Sequence, residues 1–508
     1  MVRSSSVLAT CAAAALGGLA SLAAQQSTSA PARESASGPP PGYEYGREAA
    51  RAATLNLDSL PPADLRAMLA ARRERVLRAI PAGAMLVHSV EQAQPRRLEF
   101  QVPHSENHDF IYLTGIEGLD SYDSAVLLLA DREKPWTVLY TSADVPRMRE
   151  ATGIDDVRPY AMLEEDLSAA LTDYRDWRIT QRRRWPLPGA LSQAWSRGTK
   201  TLYVNYPRFL RLGMPEPPRL AFFDRIKRFS PEIDLKDSAD VLDPIRMFHD
   251  AYSLASLRRA VAITGEGIVE AFSAVRPGMT ESEVMELMDF VYRYRGAYLG
   301  FPTGVRRQPP GGRAAGRSIP EGFIQFVPRS SRDALQAGDL VHVDTGAAFN
   351  HHSADIQRNI PVDGRFTAEQ RRLYDIALNV QKTVISRIRP GVTWRELHDL
   401  AVKMLADAGG YDKHYTYGIG HFIGMEVHDE GDYEQPLQAG MALSIEQGVA
   451  PPDGPRVAFE DDVIVTETGH DWISRSIPIE VQEVEALAAR ESTLERFVAG
   501  PRTASARR

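Results

Sequence analysis

Residues 337–358 read A-G-D-L-V-H-V-D-T-G-A-A-F-N-H-H-S-A-D-I-Q-R. The stretch predicts two short strands joined by a turn near Asn350, each carrying an aspartate, Asp344 and Asp355. Strands are poor in aspartate because a carboxylate on a sheet face resists desolvation. Two carboxylates facing each other across a hairpin repel, so a positive charge is expected between them.

The same device recurs further along. Residues 335–344 read L-Q-A-G-D-L-V-H-V-D and residues 437–446 read L-Q-A-G-M-A-L-S-I-E, so Asp344 and Glu446 hold equivalent positions. Asp355 precedes a turn at Asp363-Gly364 by eight residues, and Glu460 precedes one at Thr468-Gly469 by eight. Upstream, R-P-G-M-T-E-S-E-V (276–284) matches R-P-G-V-T-W-R-E-L (389–397). In each, Pro-Gly ends a helix and Thr-x-x-Glu opens the next as a capping box, Thr280 with Glu283 and Thr393 with Glu396. The preceding helices are expected over 254–275 and 367–388, the second capped by Thr367 with Gln370. The ordered recurrence of helix, Pro-Gly, capping box, L-Q-A-G and carboxylate marks an internal duplication.

Duplicated halves packed face to face bring Asp344, Asp355, Glu446 and Glu460 around one centre. Four carboxylates in one partly buried place cannot all stay ionised without compensation, and two divalent cations would supply it. Oxygen-rich sites suit manganese or magnesium, and an added imidazole admits cobalt, iron or zinc. The imidazole candidate is His421, in G-I-G-H-F-I-G-M-E-V-H-D (418–429). His428 follows seven residues later and reads either as a second site imidazole or as a hydrogen-bonded loop residue. His342, His351, His352 and His414 are read as structural.

The whole chain has 508 residues, 43% apolar and 25% charged, with net charge −8. That balance argues against a nucleic-acid partner, whose phosphates need a basic face. The single cysteine, Cys11, leaves the folded part without disulfides, cysteine-zinc sites or thiol nucleophiles. Arg3, the apolar run 7–22 and the small residues Ala23 and Ala24 predict a signal peptide over 1–24, hence export to the periplasm or medium. Lipid anchoring at Cys11 is the alternative. No later apolar run is long enough to cross a bilayer. Residues 25–60, with Pro39-Pro40-Pro41, read as a tether, and 491–508 as a tail. Between them, 61–243 read as an α/β domain and 244–490 as the duplicated domain. The first has a helix over 61–80 and strands at 84–88, 110–113, 125–130, 136–140 and 201–205, with a helix near 163–171 and a polar stretch over 174–197. The Arg- and Gly-rich segment 304–317 reads as a solvated loop, or as a basic lid that recognises a substrate carboxylate.

These residues resemble the pita-bread metallopeptidases of the aminopeptidase P and prolidase type. The resemblance rests on D-T-G with an aspartate eleven residues later, G-H-F-I-G-M-E-V-H-D, S-I-E-Q-G, F-E-D-D-V-I-V-T-E-T-G and H-S-E-N-H-D-F-I-Y-L-T-G (104–115). It implies an α/β N-terminal domain followed by an α+β pita-bread (creatinase/aminopeptidase-like) domain with a pseudo-twofold duplication. It also implies a dinuclear centre of Asp344, Asp355, His421, Glu446 and Glu460, with Asp355 and Glu460 bridging and manganese the usual metal. The implied reaction is hydrolysis of the bond between an N-terminal residue and proline in a small peptide, by a homodimer or higher homo-oligomer. Glu446 would move the proton, and His428 would hydrogen-bond the substrate.

Four positions depart from the family pattern. Val327 and Tyr417 stand where the family has histidines, Gln447 where it has proline, and Ala458 where it has arginine, with Arg456 on the same strand face. Tyr417 is then the altered active-site residue. The ligand set is intact, and the shell that grips substrate is changed. A non-peptidase metal-dependent hydrolase or lyase on this scaffold, or a substrate-binding pseudo-enzyme, is the competing expectation.

Overall fold

A computed structural model describes residues 42–51, 54–81, 83–89, 107–130, 135–171, 201–207, 216–312, 334–415 and 417–494. The expected signal peptide with Cys11, most of the tether, the stretch 174–197, Val327 and the tail beyond 494 lie outside them.

The first layer is a mixed six-stranded sheet. Its strands are β1 (Ala84–His88), β2 (Ala125–Leu129), β3 (Trp136–Thr141), β4 (Asp156–Pro159), β5 (Thr201–Val204) and β6 (Asp234–Asp237), in the order β4-β3-β2-β1-β5-β6. β1 and β2 are buried along their whole length and apolar except at His88, so the sheet is covered on both faces. The segment 110–113, expected as a strand, is instead part of the helix His108–Thr114. Asn107 caps it by accepting from Phe110 N, and Gly115 ends it in the left-handed region. The expected tether also contains structure. Tyr43–Arg51 is a helix, and Gly46 packs so closely on Phe248 that a Cβ there would lie 2.8 Å from Phe248 Cβ. The helix Ala239–Arg246 runs through Pro244, across the position where the sequence pattern changes.

The second layer holds the duplication. β8 (Gly304–Gln308), β9 (Leu340–Thr345), β12 (Ile356–Pro361), β13 (Gly420–Phe422), β14 (Ala442–Val449) and β15 (Val457–Val465) form one antiparallel sheet, ordered β13-β14-β15-β12-β9-β8, with β16 (His470–Trp472) on β15. The two copies, β8-β9-β12 and β13-β14-β15, meet at β12 and β15. β7 (Tyr298–Leu299), β10 (Ala347–Phe349) and β11 (His352–Ser353) make a small separate sheet, with the tight turn at Asn350 and His351, both at positive φ. The segment 304–308 is thus a strand paired with β9 and not a loop; its two arginines, Arg306 and Arg307, are half-buried.

Equivalent helices cover the convex face: Ala251–Ala274 with Glu281–Tyr294, and Ala368–Ile385 with Trp394–Asp407. All three expected capping boxes are formed, at Thr280, Thr367 and Thr393. The repeat extends to single hydrogen bonds. Gly278 N donates to Leu335 O at 2.9 Å, and Gly391 N donates to Leu437 O at 2.8 Å. Both glycines need left-handed φ, 92° and 91°, which no side chain adopts freely. Each Pro-Gly turn is thereby clipped to the L-Q-A-G turn of its own copy.

Two buried ion-pair clusters join the layers. Arg72 pairs with Asp250, the N-cap of the long helix, at 2.7 Å. Arg246 donates to Asp109 at 2.7 Å and to Asp429 at 2.5 Å. Among the described residues, no helix is long and apolar enough to cross a membrane.

Candidate metal centre

Strand pairing lines the acidic residues up in rows. Asp344 on β9 sits opposite Gln357 on β12, Gln357 opposite Glu460 on β15, and Glu460 opposite Glu446 on β14. The neighbouring row carries His421 on β13, Ser444 on β14 and Asp462 on β15. Asp355, just before β12, donates its backbone N–H to Asp462 Oδ2 at 3.1 Å and so belongs beside that row. The five expected ligands therefore converge on the concave face. Possible ligand atoms lie within 4.8 Å of one another in the sets Asp344/Asp355/Glu460, His421/Glu446/Glu460 and Asp355/His421/His428.

His421 is oriented by its own strand. Its Nδ1 lies 3.0 Å from the Phe422 carbonyl, which holds that nitrogen as donor. Nε2 then faces Glu460 Oε1 at 3.3 Å and Asp355 Oδ2 at 3.5 Å. Ser444 Oγ donates to the same Glu460 oxygen at 2.8 Å.

The charges strain against each other. Burial, then the charge of Glu460, holds the Asp355 carboxyl well above the usual range and pushes Glu446 up to about 8. Burial also opposes charge on Glu460, but hydrogen bonds from His421, Ser444 and Gln357 prevail and keep it ionised. Burial disfavours the His421 cation as well; here the bonds to Asp355 and Glu460 outweigh it and raise its pKa. Asp462, fully buried, is raised by burial. With protons alone for counter-charge, Asp355 and Glu446 hold theirs.

The donor set fits divalent cations. It offers four carboxylates and one imidazole, converging, with Asp355, His421 and Glu460 buried and Asp344 and Glu446 half-buried. Asp355 Oδ1 and Asp462 Oδ1 are buried with no protein partner among the described residues. Carboxylates 344 and 355 come from one copy, and 446 and 460 from the other, so the centre spans the pseudo-twofold axis. Asp344, Asp355, His421, Glu446 and Glu460 would hold the ions, and binding would expel the protons now shared among them.

The surroundings correct part of the sequence reading. Gln447 does not face the site. Fully buried on the opposite face of β14, it donates to the Ala377 carbonyl at 2.8 Å. Strand alternation sends Glu446 inward and Gln447 outward, so it is no part of a substrate shell. Tyr417 does lie beside the centre. Its hydroxyl accepts from Arg456 Nη2 at 3.0 Å, and burial pushes its pKa up to about 12. The charge of Arg456 is felt at Glu446, which sets this pair near that carboxyl. Ala458 is fully buried against Gly448 and reaches nothing polar through its side chain. His428 is exposed, its ring edge-on to His421 with centroids 4.2 Å apart.

Of the histidines read as structural, His342 is buried on Asn359, and burial lowers its pKa to about 3. His352 sits on the Asn350 carbonyl, and His351 pairs with Glu117 of the first layer. Sequence reasoning missed Asp462, Ser444 and Gln357, which share the site face by i, i+2 alternation with the named ligands. It also missed the Asp109–Arg246–Asp429 cluster. Asp429 follows His428 directly, and its carboxylate accepts from Met425 N and Glu430 N, closing the loop that carries the histidine.

Comparison with known proteins agrees with this geometry. Residues 255–467 match the model of metallopeptidase family M24. The Xaa-Pro dipeptidase of Pyrococcus horikoshii is 27% identical over 271 residues, covering 52% of this chain and 73% of that protein. The Xaa-Pro aminopeptidase of Escherichia coli is 29% identical over 287 residues, covering 50% of this chain and 63% of that one, under two thirds of its length. In fold, the chain is similar to E. coli aminopeptidase P solved with the inhibitor Pro-Leu, with TM-score 0.65, 22% identity and coverage of 84% and 98%.

Proposed function

We propose, from the match of residues 255–467 to the model of metallopeptidase family M24, that this chain is a metal-dependent exopeptidase that hydrolyses the bond between an N-terminal residue and proline. The observation that carries the proposal is the convergence of Asp344, Asp355, His421, Glu446 and Glu460 from both copies onto one face of the sheet. Manganese is the metal we favour, with cobalt, zinc and iron also compatible with four carboxylates and an imidazole.

Two bound cations would supply hydroxide near neutral pH and polarise the scissile carbonyl. The protein does the rest. Glu446, whose carboxylate faces the same centre, is placed to take a proton from the attacking water and pass it to the leaving nitrogen. His428, exposed beside His421, is placed to donate a hydrogen bond to the substrate carbonyl oxygen. The Tyr417–Arg456 pair presents a phenol and a guanidinium near Glu446. Proline lacks an amide hydrogen and has a fixed ring, so a cleft shaped to it excludes ordinary peptides sterically.

Protein loaded with manganese should cleave Xaa-Pro peptides and spare Xaa-Ala controls. Equal cleavage of both would remove the proline requirement. The Tyr417–Arg456 pair favours a second reading, a hydrolase or lyase acting on a different substrate, because a phenol cannot take the positive charge an imidazole takes near pH 7. Two bound ions without peptide cleavage would favour it. Export, to the periplasm or medium, and a homodimer or higher oligomer complete the proposal. Cell fractionation and sedimentation test these two points.

A further inference from the structure

Gln357 is the one uncharged member of the row Asp344–Gln357–Glu460–Glu446. It is 6% exposed. Its Nε2 donates to Glu460 Oε2 at 2.6 Å and comes within 3.5 Å of Glu446 Oε2. Its Oε1 is buried and has no protein partner among the described residues. A buried amide oxygen with no donor is left desolvated and uncompensated, so a site that keeps one has a use for it. Every other side chain of this row is a carboxyl, which offers no donor once ionised around a cation. A cation would satisfy it. An amide oxygen is a hard neutral ligand, suited to the same ions as the carboxylates and adding no repulsion.

We propose that Gln357 is a working member of the metal centre, its Nε2 holding Glu460 in ligand posture and its Oε1 serving as an additional oxygen donor to a divalent cation. The inference rests on the metal-centre reading above and extends it to a residue on the strand face between the two copies. Gln357 becomes the part of the centre that tunes its charge. One more oxygen joins the shell while the count of negative charges stays at four.

The test titrates metal-free protein with cobalt(II), following ion stoichiometry and the visible absorption of the bound ion, with no assay of activity. Gln357→Leu removes both ends of the amide. Gln357→Glu keeps the length and the oxygen and loses the N–H. In Gln357→Leu the weaker-binding ion should lose ten- to a hundredfold in affinity, the range for losing a supporting partner, and the cobalt bands should shift. Gln357→Glu should bind both ions at least as tightly as wild type. Affinity within twofold of wild type and an unchanged spectrum in Gln357→Leu would overturn the proposal. So would equal losses in both variants together with a lowered melting temperature, since packing would then explain them. Wild-type protein that binds no ion would overturn the metal-centre reading itself, and this inference with it.

Discussion

Replacing Arg246 with methionine removes one guanidinium and leaves two carboxylates behind. The side chain of Arg246 is 4% exposed, and those of its partners Asp109 and Asp429 are 10% and 4% exposed. Breaking a buried pair by deleting one member costs about 3–5 kcal/mol, because the charge left behind has no solvent to turn to. Asp109 belongs to the first layer and Asp429 to the loop of His428, so the loss loosens both the contact between layers and the turn that carries the histidine. Arg246→Met should therefore lower urea-unfolding stability by about 3–5 kcal/mol and speed amide exchange over residues 424–430. The triple variant Arg246→Met, Asp109→Asn, Asp429→Asn carries no orphaned charge. It should recover at least about 2 kcal/mol of that deficit. A loss under about 1 kcal/mol in the single variant, or a triple variant no more stable than the single, would refute the reasoning.

Three more outcomes can be checked directly. Glu446, pushed up to about 8, is protonated at pH 7 without metal, so metal binding must release its proton. Apparent affinity should rise from pH 6 to 8, and calorimetry at pH 7 in buffers of different ionisation heat should detect the released protons. Asp289 is buried, which pushes its carboxyl up to about 6, while Thr303 donates to it at 2.7 Å. The folded state holds this proton more tightly than the unfolded chain, so stability falls as pH rises from about 4 to 6; Asp289→Asn should remove that slope and be the more stable by up to ~3 kcal/mol above pH 6. Tyr417→Phe and Arg456→Met should each lower kcat/KM on Xaa-Pro peptides. Because the two side chains are bonded to each other, the double variant should lose less than the sum, with a coupling of about 1 kcal/mol or more.

What could be read from the sequence was what local rules govern. The capping boxes at Thr280, Thr367 and Thr393 need only a hydroxyl and an acid or amide three residues apart, and all three form. The L-Q-A-G repeat placed Asp344 and Glu446 correctly because strand register carries a sequence equivalence into space. Short apolar runs were less legible. Phe110 to Leu113 has the aromatic and branched residues of a strand, yet the Asn107 cap and Gly115 terminator make it one turn of a longer helix. Arg306 and Arg307 disguised β8 as a solvated loop, because an edge strand tolerates charge. Alternation along β14 and β12 would have turned Gln447 outward and Gln357 inward. The Asp109–Arg246–Asp429 cluster carries no local signal; its members come from three segments brought together by the fold alone.

The strand-borne row has a consequence for how such a chain can change over generations. Strand spacing of ~4.8 Å sets the distance between successive members, and the two-residue repeat sets which side chains join. Extra residues in the turns at 423–441 or 450–456 would leave that ruler untouched, so new reach toward new substrates can be added there. A single deletion inside β12 ahead of Gln357 would swing Arg358, now buried on Asp461, into the midst of the carboxylates. Added length in the turns should therefore leave the acidic row in register, whereas a one-residue change inside β12 should break it.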